Sequence, residues 1–128
     1  MEILSSRVLL RPADYQRSLS FYRDTLGLAI AREYPGGTVF FAGQSLIELA
    51  GHGEPHSFSG ALWLQVRDVY ALQDELRQRG VEITREARQE PWTLHEMHVT
   101  DPEGVMLIFG QVPPNHPLRR DSRGQRAD

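Results

Sequence analysis

Arg7-Val8-Leu9-Leu10-Arg11-Pro12-Ala13-Asp14-Tyr15-Gln16-Arg17-Ser18-Leu19-Ser20-Phe21-Tyr22-Arg23-Asp24-Thr25-Leu26-Gly27 reads as a strand followed by a helix, and its later echo decides the fold. The apolar run Arg7–Arg11 stops at Pro12, which has no N–H to give a sheet ladder. Asp14 suits a helix N-cap; Tyr15, Leu19, Tyr22 and Leu26 recur at helical spacing, and Gly27 is the usual residue just past a helix end. Shifting the chain by 54 residues lays Val8 on Leu62, Leu10 on Leu64, Asp14 on Asp68, Tyr15 on Val69 and Tyr22 on Leu76. The second copy is again a strand, Ala61–Val66, with its aliphatic residues at every second position. A helix capped by Asp68 follows, carrying Val69, Leu72 and Leu76 and ending at Gly80.

Three strand-like runs follow each helix. After the first they are 28–34, 38–42 and 45–50, separated by Pro35-Gly36-Gly37 and Gly43-Gln44. After the second they are Val81–Thr84, Leu94–Thr100 and Val105–Phe109. The fold class is α+β, with two strand-helix-three-strand (βαβββ) modules at about 5–50 and 60–111 inside one domain, 1–112. A lone module would leave one sheet face bare, so pairing is expected within the chain or across a dimer. Residues 113–128 hold Pro113, Pro114, Pro117, Gly124 and the cluster Arg119, Arg120, Arg123 and Arg126 without periodicity, and are expected to be disordered.

Composition narrows the chemistry. Of 128 residues, 40% are hydrophobic and 24% charged, ordinary for a globular domain. No apolar run is long enough for a membrane span and the N-terminus lacks a signal peptide, so a cytoplasmic protein is expected, with no membrane partner. Cysteine is absent, which removes disulfides, thiolate metal sites and a cysteine nucleophile. All 14 basic residues are Arg, against 17 acids, for a net charge of −3. Without Lys there is no Schiff-base chemistry, and the acidic excess opposes nucleic-acid binding. No dinucleotide fingerprint, Walker sequence or nucleophile elbow occurs.

Asp14-Tyr15-Gln16-Arg17-Ser18-Leu19-Ser20-Phe21-Tyr22, followed by Leu26-Gly27, resembles the "Asp…Ser-x-x-Phe-Tyr…Leu-Gly" signature of the vicinal oxygen chelate superfamily. This group holds lactoylglutathione lyases, extradiol dioxygenases and bleomycin-resistance proteins. Asp101-Pro102-Glu103-Gly104 resembles its second signature, Asp-Pro-x-Gly before the last strand. The likeness covers roughly 5–112 and implies curved mixed sheets forming a cup around a ligand cavity. It also implies a homodimer, because many members build each cavity from two chains.

Catalytic members place His or Glu metal ligands on the first strand and near the last strand of each module. The corresponding positions here are Arg7, Glu48, Ala61 and Ile108, of which only Glu48 is a donor. A permanently charged guanidinium facing the site opposes a cation, so no metal and no cofactor is expected by this route, and Arg7 is expected to pair with Glu48. Alternation puts Ala61, Trp63 and Gln65 on the cup side, with Leu9 beside Arg7 and Met106 beside Ile108. Phe40 joins Leu9, Met106 and Ile108 in the expected apolar wall. Pro91-Trp92-Thr93-Leu94-His95-Glu96-Met97 resembles the "Pro-Trp-Gly…Arg-Glu-Phe" run of bleomycin-resistance-like members, with Thr93 and His95 replacing Gly and Arg; Thr tolerates positive φ badly. Trp92 is assigned to the pocket.

The histidines are scattered. His95 and His98 point to opposite faces of a strand, His52 and His56 fall in a loop, and His116 lies in the tail. His98 shares a face with Glu96, an acid–base arrangement. The ligand-binding candidates are thus Arg7, Leu9, Phe40, Glu48, Trp63, Gln65, Trp92, Glu96, His98, Met106 and Ile108, with no catalytic residue assigned. The preferred reading is a metal-independent small-molecule-binding protein, closest to the metal-free bleomycin-resistance-like members. It would sequester an antibiotic or other toxic aromatic compound as a homodimer. The alternative is a lyase or dioxygenase of the same fold with relocated ligands, or a metal-free acid–base site; a third is an accessory module whose cavity is filled by side chains.

Overall fold

The computed structural model describes residues 1–119. The chain runs β1 (Val8–Leu10), α1 (Tyr15–Ser20), a π-helical turn (Phe21–Thr25), β2 (Ile30–Tyr34), β3 (Gly37–Ala42) and β4 (Ser45–Ala50). It continues through β5 (Ala61–Gln65), α2 (Val69–Gln78), β6 (Ile83–Gln89), β7 (His95–Thr100) and β8 (Met106–Gln111). Both N-caps read from the sequence are made: Asp14 accepts the Arg17 N–H, and Asp68 accepts those of Tyr70 and Ala71. The first helix widens past Ser20, where Leu26 N–H reaches back five residues to the Phe21 carbonyl at 2.8 Å.

The elements form two four-stranded mixed sheets, in orders β1-β4-β3-β2 and β5-β8-β7-β6. In each, the first strand runs parallel to the last and the other pairs are antiparallel. Val8 pairs with Ile47 in the N-terminal sheet, and Leu62 with Leu107 in the C-terminal one, so the repeat holds in register. The expected α+β pair of βαβββ modules is therefore present, as two open sheets rather than a closed barrel. β6 is longer than read from the sequence. Its segment Thr84-Arg85-Glu86-Ala87-Arg88-Gln89 is mostly polar because it is the sheet's outer strand, so it carries little apolar signal. No helix among the described residues is long and apolar enough to cross a membrane.

One face of each sheet carries the core. Leu10, Tyr22, Phe40, Ile47 and Leu49 from the first module join Leu62, Val69, Leu76, Met97, Val99 and Leu107 from the second in one buried cluster. The seam between modules is polar at one point: Tyr22 O–H donates to Asp101 Oδ2 at 2.7 Å, across 79 residues of chain. Asp101 Oδ1 also accepts the N–H groups of Glu103 and Val105, at 2.8 and 2.9 Å, closing a turn in which Gly104 takes φ 87°. Burial first, then the Asp101 charge and hydrogen bond, raise the Tyr22 phenol well above its ordinary value, so it remains a donor. The two sequence signatures are thus bonded to each other. Of the segment expected to be a disordered tail, His116 N–H closes a turn on the Pro113 carbonyl and Pro117–Arg119 form one 3-10 turn. The remainder of that expectation falls on 120–128, outside the described residues.

Candidate functional site

Strand alternation gives each sheet a second, open face. In the N-terminal sheet Leu9, Glu48, Val39 and Arg32 lie in register across β1, β4, β3 and β2. Arg7 Nη1 pairs with Glu48 Oε1 at 3.2 Å, as the sequence leads one to expect. Tyr34, on the outer strand, lays its ring across Gly37, where an added Cβ would fall 2.2 Å from Cζ. Its hydroxyl donates to Glu48 Oε2. Both oxygens of Glu48 are therefore engaged. The hydrogen bond to Glu48 raises the Tyr34 phenol first, with desolvation and the carboxylate charge adding. His52 stands edge-on to Tyr34 at the rim, Nε2 3.4 Å from the hydroxyl, and the Arg32 guanidinium carbon sits 5.1 Å from the Tyr34 ring centroid.

The C-terminal sheet repeats the device from its opposite edge. Trp63, on β5, crosses Gly110 of β8, where a Cβ would meet Cζ2 at 2.4 Å. Its indole N–H donates to Glu96 Oε2 on β7 at 2.7 Å. Trp63 and Met106 are each 39% exposed; Gln65 is exposed and Ile108 partly covered, all on this face as alternation requires. Glu96 and His98 share the face, but no hydrogen bond or ion pair joins them among the described residues; the buried Glu96 takes the Trp63 N–H instead. His98 stands opposite Arg85 on β6. Desolvation first, then Arg85 and Arg88, hold its imidazole below the ordinary value, with Glu96 opposing. Arg85 and Arg88 both converge on the buried Glu90 carboxylate at the end of β6.

One candidate, Phe40, is placed otherwise than expected. Phe40 pairs with Ile47 and packs beside Tyr22 with ring centroids 6.2 Å apart, fully buried on the core side. The run Val39-Phe40-Phe41 does not alternate, so only its register with β4 assigns sides, and Phe41 is the open-face aromatic. Trp92 sits on the β6–β7 connection, 54% exposed. In that connection Thr93 adopts φ 74°, the one non-glycine positive φ among the described residues; its N–H bonds to the Glu90 carbonyl at 2.8 Å.

A cleft of about 870 Å³ opens where the β3–β4 hairpin meets the end of β5. Phe41, Trp63, Gln65, Phe109 and Leu118 are among its walls, and its size falls in the range of small-molecule sites. Arg7 and Glu48, on one open face, and Trp63 and Glu96, on the other, are not joined by any bond among the described residues. Tyr34, Arg32, Arg85, Arg88 and the two glycines under the rings escaped the sequence reading. A glycine inside a strand is the signal that marks such a close approach.

The residues present do not fit the divalent metal that catalytic members of this fold hold. Of Arg7, Glu48, Ala61 and Ile108, one is a donor, and its two oxygens already accept from Arg7 and Tyr34. No three His, Asp or Glu side chains converge in a metal-holding arrangement among the described residues.

Residues 5–109 match the family model described as Glyoxalase/Bleomycin resistance protein/Dioxygenase superfamily. A protein named "Probable lactoylglutathione lyase" from Synechocystis sp. is 30% identical over 120 residues, covering 81% of this chain and 92% of that one. A glyoxalase/bleomycin resistance protein/dioxygenase from Nocardioides superposes with a TM-score of 0.71 at 18% identity, over 91% of this chain and 89% of its own. A superfamily member from Sphaerobacter thermophilus gives 0.72 at 21% identity, over 88% and 99%. This chain belongs to the glyoxalase/bleomycin resistance protein/dioxygenase superfamily.

Proposed function

We propose that this superfamily member binds a small organic molecule without a metal, at the aromatic cleft and the open sheet faces beside it. The observation that carries the reading is the state of Glu48: with Arg7 on one oxygen and Tyr34 on the other, the single carboxylate at the expected ligand positions serves an internal network. Trp63, held flat by Gly110 and Glu96, supplies a preset stacking surface beside Phe41 and Gln65. An aromatic pair there adds about 0.5–1.5 kcal/mol beyond area burial. Sequestration of a toxic aromatic compound is the biological role proposed. Leu9, Phe41, Trp63 and Met106 leave apolar area exposed on both open faces, which supports a homodimer in which one chain's N-terminal sheet closes over its partner's C-terminal sheet.

The test pairs two measurements. Calorimetric titration with Zn²⁺ and Ni²⁺ is expected to give no tight one-site binding. Tryptophan fluorescence across a panel of aromatic antibiotics and metabolites is expected to report a quencher whose effect falls at least severalfold in Trp63→Phe. A stoichiometric metal site lost in Glu48→Ala, or production of lactoylglutathione by the purified protein, would overturn this reading in favour of the activity for which several relatives are named.

A further inference from the structure

We propose that the open face of the N-terminal sheet recognises an organic anion, a carboxylate or similar acidic group carried on an apolar body; this rests on the small-molecule-binding reading above and adds the charge of the ligand. The face carries two guanidinium groups and one carboxylate. Arg7 gives one amino group to Glu48, its side chain is still 47% exposed, and its other N–H groups make no hydrogen bond among the described residues. Arg32 stacks on the Tyr34 ring and has no carboxylate partner among the described residues. Neighbouring Glu33 pairs with Thr38 and so projects to the opposite side. The formal balance of Arg7, Arg32 and Glu48 is therefore positive, in a chain whose net charge is −3.

The geometry suits capture of a ligand acid. Arg32 and Glu48 stand two strands apart in one row, about 10 Å at the backbone, a span that their side chains and Tyr34 bridge. Glu48 and the ring beneath hold the cations in place without fully satisfying them, and a guanidinium fork matches a carboxylate with two parallel hydrogen bonds. Leu9, 42% exposed, and Phe41, 53% exposed, offer apolar contact to the body of the ligand.

Three probes of one shape separate charge from hydrophobicity: 2-naphthoate, 2-naphthalenemethanol and 2-naphthylmethylammonium, titrated by calorimetry into the full chain at low salt. We expect naphthoate to bind about 10-fold more tightly than the alcohol. Arg32→Gln, at an exposed position, is expected to remove most of that preference, naphthoate affinity falling toward that of the alcohol. Glu48→Gln is expected to raise naphthoate affinity severalfold by withdrawing the internal competitor, a gain that a merely structural Glu48 would not give. Equal binding of all three probes, preference for the ammonium, or an anion preference that survives both Arg32→Gln and Arg7→Gln overturns the anion assignment alone. Failure of all three probes to bind overturns the small-molecule reading together with it.

Discussion

The two open faces are built on one plan with unequal insurance. Each lays an aromatic ring across a strand glycine so that its polar hydrogen reaches a carboxylate on the next strand: Tyr34 over Gly37 to Glu48, and Trp63 over Gly110 to Glu96. Glu48 has a second partner in Arg7, whereas Glu96 is 5% exposed and has the indole as its only hydrogen-bond donor among the described residues. A carboxylate backed by a guanidinium tolerates loss of the aromatic; a buried one with a single donor does not. The N-terminal face is therefore read as the adaptable, charge-recognising one, and the C-terminal face as the rigid stacking platform.

Adding a methyl group under each ring breaks the pair apart. In Gly110→Ala the new Cβ forces Trp63 off its seat and leaves Glu96 desolvated, for an expected loss of about 2–4 kcal/mol in chemical denaturation. Gly37→Ala displaces Tyr34 equally, yet Glu48 keeps Arg7, so about 1–2 kcal/mol is expected. Equal losses would show that ring displacement, not the orphaned carboxylate, sets the cost.

Much of this plan was legible before the structure. The caps Asp14 and Asp68, the 54-residue echo and the sides taken by Trp63 and Gln65 follow from local periodicity, because neighbouring residues enforce them. The sides of Leu9, Met106 and Ile108 followed from the positions that the resemblance gives Arg7 and Ile108. The Arg7–Glu48 pair followed from the resemblance and the exclusion of a cation. What stayed hidden depends on register between distant strands. Nothing local says that Phe40 faces Tyr22, that Tyr22 reaches Asp101, or that Tyr34 spans two strands to Glu48. β6 hid because an outer strand needs few apolar residues.

The hairpin turns continue the comparison. At the β2–β3 turn the positive φ falls on Gly36, at 98°, whereas at the corresponding β6–β7 connection it falls on Thr93, at 74°. A β-branched residue there carries strain of about 1–3 kcal/mol, partly offset by the lower unfolded-state entropy of Thr relative to Gly. Thr93→Gly is therefore expected to stabilise the fold by about 0.5–1 kcal/mol, read from the denaturation midpoint. Replacement without gain would mean that the Thr93 hydroxyl, which donates to the Trp92 carbonyl at 2.6 Å, offsets the strain.

The smallest expected effect is a dependence on pH at His98, on β7 of the C-terminal face. Burial first and Arg85 second hold the His98 imidazole below its ordinary value, Arg88 adds to this, and Glu96 opposes. As pH falls through about 6.5, the unfolded chain takes up this proton before the folded one does. The stability contributed by a neutral His98 is thus fully present above that pH and is lost progressively in acid, down to the lower folded value. His98→Gln removes the titration and keeps a polar side chain opposite Arg85. The difference in unfolding free energy between wild type and variant should therefore change between pH 7.5 and pH 5, in the direction of relative wild-type loss in acid. Parallel pH profiles for the two proteins would mean that Glu96 offsets burial, Arg85 and Arg88 together at this site.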